Sequence, residues 1–371
     1  MAFDVRTAAI LEVIAQMDYQ GTYEEHHVFG SGHINDTFLV TMREGEKAYR
    51  YTLQRINHEI FKDPAALMQN MVGVTEFLRK KIIAAGGDPE REAIHLVYAK
   101  DGKPYYRDRL GNYWKSYRYI DGVTCYDQVE KPEDFYQCGY AFGKFQGQLA
   151  DYPAETLVET IPDFHNTPKR FVTFQKAVEE DTVGRAASVA AEIVFVRERE
   201  SFMHTLTDLQ AKGEIPLRVT HNDTKLNNAM IDDATGRAIC IIDLDTVMPG
   251  LSVNDFGDSI RFGASTAAED EPDLSKVHFS LELYEAFTRG FLEGCDGRLT
   301  EKELWALPVG AKMMTLECGM RFLTDHLQGD TYFRIHRENH NLDRCRTQFR
   351  LVEEMEQHWN EMYAIIKKYA K

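Results

Sequence analysis

No two of the six cysteines (Cys125, Cys138, Cys240, Cys295, Cys318, Cys345) form a C-x-x-C pair. Their scatter argues against a disulfide framework and reads as reduced thiols. The chain also lacks a long apolar run. Its N-terminal stretch carries Asp4, Arg6 and Glu12 where a secretory leader would be apolar, so a cytoplasmic protein without a membrane span is expected. Positive charge is in deficit: 43 basic against 59 acidic residues give a net charge of −16. That opposes binding to nucleic acid or an anionic membrane, both of which need basic surfaces. No low-complexity segment or internal repeat is present. Apolar residues at 43% and aromatics at 11% supply an ample core, and 371 residues fit two domains sharing a cleft.

The apolar spacing predicts an amphipathic helix over residues 4–17, then β-structure over 23–56. That β-region comprises two strands around Gly30-Ser31-Gly32 and a third at 49–56. Asp63-Pro64 predicts a helix start, and Gly86-Gly87 its end near residue 83. Strands are expected near 93–98 and 112–120, with a turn at Asp101-Gly102. A small antiparallel lobe over 1–119 follows, crossing at Tyr119-Ile120-Asp121-Gly122 into a mainly helical lobe over 120–371. There Phe135, Cys138, Phe142, Phe145 and Leu149 make one helical stripe. Further helices are expected at 168–180, 188–211, 276–293, 302–328 and 343–370. The last carries Phe349, Val352, Met355, Trp359, Met362 and Ile366 in register. This reads as intramolecular packing rather than a dimer seam, hence a monomer or weak homodimer.

Residues 221–245 read HNDTKLNNAMIDDATGRAICIIDLD. His221, Asp223 and Asn228 precede two strand-forming runs joined by the turn Asp232-Asp233-Ala234-Thr235-Gly236, and Asp243 and Asp245 follow. A hairpin there makes Asn228 and Asp243 neighbours although they stand fifteen residues apart. A base beside an Asn/Asp pair is what phosphoryl transfer needs: the base orients the attacking hydroxyl and the pair holds Mg²⁺ against nucleotide phosphates. Asx-rich loops also cap backbone groups, but the ordered coincidence of His, Asp, Asn, hairpin and Asp favours function. Asp255-Phe256-Gly257 spells the protein-kinase metal triplet, yet it lies past the hairpin and past Pro249-Gly250. Asp243 is the better metal ligand, and Asp255 and Asp258 read as caps or struts tying a helix start to the catalytic loop.

The segment resembles the catalytic and metal loops of the aminoglycoside phosphotransferase and choline-kinase-like family, the small-molecule branch of the protein-kinase-like superfamily. Residues 30–35, 217–228, 241–246, 255–266 and 317–323 resemble the N-acetylhexosamine 1-kinases within it. The resemblance runs from about residue 20 to 355. It implies a protein-kinase-like bilobal α+β fold. It also implies ATP and Mg²⁺ as cofactors, and transfer of the γ-phosphoryl group to the anomeric hydroxyl of N-acetylglucosamine or N-acetylgalactosamine. By matching position, Asp223 is the implied base on the sugar hydroxyl. Asn228 and Asp243 are the implied Mg²⁺ ligands, with Asp245 assisting, and His33 and Asn35 the implied sugar contacts. Lys225 has two readings, a contact to the transferring phosphoryl group or a solvated loop charge. His221 reads as a strut for the loop.

Gly30, Ser31 and Gly32 fit a β-turn-β loop covering phosphates. A dinucleotide fingerprint is excluded because Asn35 holds the third glycine position and strand formers follow it. The third strand departs from the kinase pattern: Gln54, with Arg55 beside it, stands where a phosphate-gripping lysine is expected. Both are carried as nucleotide contacts, and Glu76 is a guessed helix partner. Arg321 reads either as a fork for sugar oxygens or as half of an internal salt bridge, and Tyr332 accompanies it as a substrate residue. His336 and His340 read as surface histidines, because no third zinc ligand accompanies them. The acidic stretch Glu269, Asp270, Glu271 and Asp273 reads as a solvated loop. It would serve a cationic acceptor if the substrate were an amino alcohol. Other acceptors, such as another hexose, homoserine or an aminoglycoside, or a non-catalytic nucleotide-binding regulator, are the remaining alternatives.

Overall fold

The computed structural model describes residues 5–30 and 35–370. Among them the chain forms an antiparallel sheet region and a mainly helical remainder. They divide into two compact units: residues 1–124 with 155–161 and 230–248, and residues 125–154 with 162–229 and 249–371.

The first unit begins with α1 (Val5–Gln16), β1 (Thr22–Val28), β2 (Asp36–Glu44), β3 (Lys47–Ile56) and α2 (Pro64–Ala84). A short helix α3 (Pro89–Glu92) follows, then β4 (Leu96–Val97), β5 (Tyr106–Arg107), β6 (Tyr113–Arg118) and β7 (Val123–Thr124). The sheet runs β1-β2-β3-β6-β4, with β5 also on β6. Its pleat decides what each face does, because side chains alternate and directly paired residues share a face. Val40, Met42, Tyr51, Leu53 and Trp114 bury one face against Ile10, Val13 and Ile14 of α1 and Met17 just after it. The opposite face carries Thr37, Gln54 and Lys115, paired Thr37↔Gln54 and Gln54↔Lys115. α2 starts where Asp63 accepts a hydrogen bond from Ala66 N at 3.0 Å with Pro64 in the first turn. It ends at Gly86, whose φ of +76° a side chain would resist.

In chain order there follow α4 (Pro132–Gln148), α5 (Thr167–Glu180), α6 (Ala190–Arg197), α7 (Glu200–Met203), α8 (Thr205–Ala211) and β8 (Arg218–Thr220). Next come β9 (Ala229–Asp232), β10 (Ala238–Ile241), β11 (Met248–Gly250), α9 (Ser252–Gly263), α10 (Leu281–Cys295), α11 (Glu301–Leu327), α12 (His340–Gln357) and α13 (Trp359–Tyr369). The expected hairpin is present as β9 and β10. It joins the first unit because β9 pairs antiparallel with β7 and Arg91 grips Asp232 at 2.6 Å.

In the second unit α4 and α10 pack backbone to backbone. A Cβ on Gly139 or Gly143 would lie 2.3 or 2.1 Å from the carbonyl oxygen of Phe287 or Phe291. The aromatic stripe Phe135, Phe142 and Phe145 is buried beside this seam, as its spacing predicted. α9 and α11 meet in the same way, with Gly257 against the Gly310 carbonyl. Two expected long helices are broken. Residues 188–211 split into α6, α7 and α8 around Arg199, which stacks on Phe195 and pairs with Glu356 at 2.7 Å. Residues 343–370 split at His358 into α12 and α13, whose apolar residues Phe349, Val352, Met355, Met362 and Ile366 are buried within the unit.

Candidate functional site

The catalytic loop belongs to the second unit. It leaves β8 at His221, which is fully buried edge-on to Phe142 and Phe145 and receives a hydrogen bond from Asp223 N at 3.3 Å. Three side chains of α9 fix its backbone. Asp255 accepts from His221 N and Asn222 N, both at 2.8 Å; Asp258 accepts from Thr224 N at 3.0 Å; and Ser259 Oγ donates to Thr224 O at 2.7 Å. Gln146 of α4 donates to Asp255 at 2.8 Å. Burial raises the Asp255 carboxyl above its ordinary range, against the pull of His221 and these donors. Burial acts the same way on Asp258, but Arg261 and Lys225 outweigh it and hold that carboxyl low. Both aspartates are thus fully engaged and inward-facing.

What the loop presents outward is different. Asp223 keeps one oxygen on Lys225 Nζ at 2.8 Å and the other on Asn228 Nδ2 at 3.2 Å, and remains a quarter exposed. Burial works against the Lys225 charge, but Asp223 more than compensates and raises its pKa. Asn228 spends its amide nitrogen on Asp223, including the carbonyl at 2.8 Å. Its side-chain oxygen is left with no partner among the described residues. That oxygen is the atom a hard cation takes.

The candidate metal loop, Asp243 to Thr246, belongs to the first unit and hangs from three elements. Asn35, at the end of the glycine loop, donates to Asp245 at 2.7 Å and accepts from Asn57 N at 3.0 Å. Asn70 of α2 donates to Val247 O at 2.9 Å and to Val158 O at 2.8 Å, and accepts from Val158 N at 2.9 Å. Lys115 of β6, only 1% exposed, is ion-paired with Asp245. Burial depresses the Lys115 ammonium to about 8, opposed by Asp243. Asp243 itself has left-handed backbone (φ +59°), which aspartate tolerates better than most residues. Its carboxylate makes no hydrogen bond or ion pair among the described residues. Held in a strained conformation and left unpaired, it fits a cation. Among the described residues no three His, Cys, Asp or Glu side chains converge as a cage. Mg²⁺ needs none, since one or two protein oxygens plus phosphates and water suffice.

A third cluster, again in the second unit, carries positive charge. Arg321 faces the Phe333 ring at 5.4 Å, and burial, with the nearby Arg321 guanidinium adding to it, lowers the Arg170 pKa. Buried Glu317 accepts from Thr167 Oγ1 at 2.6 Å and meets His165 Nδ1 at 3.2 Å. Burial alone would raise its pKa, but His165 and Arg321 hold it low. Two polar atoms in this cluster, His165 Nε2 and the Arg170 Nε donor, are buried without a partner. His165 also lowers the Asp258 carboxyl and so lies within electrostatic reach of the catalytic loop's anchor.

A model of the phosphotransferase enzyme family matches residues 25–291. The chain belongs to this phosphotransferase enzyme family. It is similar to the solved structure of an aminoglycoside phosphotransferase from Alicyclobacillus acidocaldarius, at TM-score 0.64 and 12% identity, with 96% of each chain covered. A microcompartment-associated aminopropanol kinase is similar at 0.58 and 15%, over 97% of this chain and 98% of that one. Choline kinase from Cryptosporidium parvum follows at 0.53 and 14%, over 93% of each. At such identities these three likenesses show the fold, which is the kinase-like α+β fold expected from the sequence.

The placement of the remaining candidates in this phosphotransferase is mixed. Ser31, Gly32 and His33 lie outside the described residues; Gly30 has φ +79°. Gln54 and Arg55 point to opposite faces of the sheet. Gln54 donates to Thr37 Oγ1 at 3.1 Å, whereas Arg55 pairs with Asp36 beside Asn112. Glu76 does not partner the third strand. It is exposed on α2, its carboxylate facing Tyr98 OH at 3.4 Å. Arg321 has no salt bridge among the described residues. Tyr332 is 73% exposed, on a turn built by Asp325, which accepts from the backbone N–H of Thr331, Tyr332 and Phe333.

Two readings are corrected. His340 is not a surface histidine: it is buried, bonded to Asp270 at 2.9 Å and to His336 N at 3.1 Å. The acidic stretch is not simply solvated, because Glu269 pairs with Arg261 at 2.7 Å and Asp270 with His340 and Arg337. Its carboxylates are already spent on the chain's own cations. Sequence reading missed Lys115, Asn70, His165 and Arg170. Lys115 alone had a signal, a charge in the interior of a strand rich in aromatic residues.

Proposed function

We propose that this phosphotransferase moves the γ-phosphoryl group of ATP to the anomeric hydroxyl of N-acetylglucosamine or N-acetylgalactosamine. The observation that carries this choice of acceptor is the pair of guanidiniums of Arg170 and Arg321 beside His165, with the unpartnered buried Arg170 Nε donor suited to an acceptor oxygen or an amide carbonyl. Two guanidiniums repel a quaternary or primary ammonium, so an amino alcohol is disfavoured. The acidic stretch that would have welcomed one is neutralised internally.

In this reading Asp223 accepts the proton of the acceptor hydroxyl as that oxygen bonds to the γ-phosphorus, and the bond from phosphorus to the ADP oxygen breaks. Lys225, ion-paired with Asp223, holds that carboxylate in place. Asn228 and Asp243, each on its own unit, are the proposed Mg²⁺ ligands, and Mg²⁺ would neutralise charge on the phosphates. Asn35 couples the glycine loop to the metal loop, and Gly30, Ser31, Gly32 and Gln54 face the nucleotide. His33, Arg321 and Tyr332 contact the sugar. A non-catalytic regulator would have no need of the Asp223, Asn228 and Lys225 network.

An ADP-release assay across N-acetylglucosamine, N-acetylgalactosamine, glucose, galactose, choline and homoserine tests the reading. The N-acetylated sugars are expected to give the highest kcat/KM. Preferential turnover of choline or homoserine overturns the acceptor assignment.

A further inference from the structure

On the third strand Gln54 stands where a phosphate-gripping lysine is expected, yet a buried lysine stands directly across from that position. Lys115 on β6 pairs in register with Gln54 on β3, so the two side chains share the face that looks toward α2. Its ammonium has three donors; it contacts the Asp245 carboxylate and Met71 Sδ of α2 at 3.8 Å, and lies within electrostatic reach of Asp243. Asp245 is itself 4% exposed and fixed on its other oxygen by Asn35. The neighbouring Gln54 Oε1 is buried without a partner. A buried ion pair of this kind is a poor device for stability alone, since well-packed apolar side chains of the same volume generally do as well or better.

We propose that Lys115 is a positioning residue for the metal loop: it neutralises and pins Asp245, so that Asp243 is left as the single open carboxylate for Mg²⁺. This rests on the phosphotransferase reading above. In that reading the ordering cation, expected on β3, has moved one strand over, and its partner has moved from the helix to the metal loop. Without Lys115, Asp245 becomes a buried unpaired anion two residues from Asp243. The loop must then rearrange to hydrate it, and the Mg²⁺ ligand goes with it.

The test is calorimetric titration of the full chain with ADP, with and without Mg²⁺, for the wild type, Lys115→Met and the double variant Lys115→Met/Asp245→Asn. Lys115→Met is expected to weaken Mg·ADP binding about tenfold or more, as loss of an outer partner of a metal ligand does. Binding of Mg²⁺-free ADP is expected to stay within about twofold. The double variant removes both charges while an asparagine oxygen still accepts from Asn35. It is expected to recover most of the Mg·ADP affinity and the melting temperature, and it keeps the test valid if the single variant does not fold. The proposal is overturned if Mg²⁺-free ADP weakens in parallel, which would make Lys115 a direct phosphate contact. It is equally overturned if the double variant stays as weak as the single one, or if Lys115→Met binds normally. Each of these leaves the phosphotransferase reading standing; a wild type that binds no ADP removes that reading itself.

Discussion

Two aspartates follow the catalytic loop, and their surroundings are opposites. Asp255 sits in α9 with both oxygens accepting from backbone N–H groups of the catalytic loop and from Gln146. Asp243 sits two residues after β10 in left-handed backbone, with no hydrogen bond or ion pair among the described residues and only the electrostatic reach of Lys115 beside it. The local spelling favours Asp255, because Asp-Phe-Gly is the protein-kinase metal triplet. The physical state favours Asp243. A carboxylate whose lone pairs are all used is a strut, and one held in strained backbone with lone pairs unused is available to a ligand. Phe256 and Gly257 fit the same picture: Phe256 is fully buried among Tyr284, Phe287 and Phe291, and Gly257 lets α9 approach Gly310.

The contrast can be broken in several ways. The largest expected effect is at the base. Asp223→Asn should lower kcat about 10³-fold or more, within the range of general-base catalysis, while ADP affinity stays within a few-fold. Wild-type-like turnover in a rapid-quench assay removes Asp223 from that role. Next comes Asp255→Ala, which strands two backbone N–H groups and the Gln146 amide in the interior. A loss of about 3 kcal/mol or more is expected, read as a fall in the urea midpoint. An unchanged midpoint would mean that Asp255 is no strut. Asn70→Ala should cost about 1–3 kcal/mol through three lost hydrogen bonds and raise hydrogen exchange at Val158 N–H above the global rate. No local change there would show that α2 does not hold the metal loop.

The architecture around these aspartates was legible to different depths in the sequence. Asp63-Pro64 fixed one helix start, and Asp232 to Gly236 fixed the hairpin turn, because both signals are local. The reading of Asp243 as a metal ligand was drawn from that hairpin. Lys115 did not follow, since its meaning depends on which residue of β3 it faces, and register is set by tertiary pairing. Nor did the glycines of α4 and α10: Gly139 and Gly143 look like weak helix formers until the partner helix shows why no side chain fits. His340 and the acidic stretch were misread together, because each satisfies the other across seventy residues of chain. Arg170 and His165 likewise gain meaning only beside Arg321 and Glu317.

The central claim is that Asp243, and not Asp255, carries the metal. It is tested most directly by titrating ADP into Asp243→Asn at increasing Mg²⁺ concentrations, with the melting temperature as a control. Asparagine keeps the left-handed backbone and the side-chain volume, so only the charge is removed. The account predicts that Mg²⁺ no longer tightens ADP binding while the melting temperature stays near that of the wild type. Full retention of the Mg²⁺ effect in Asp243→Asn would contradict it.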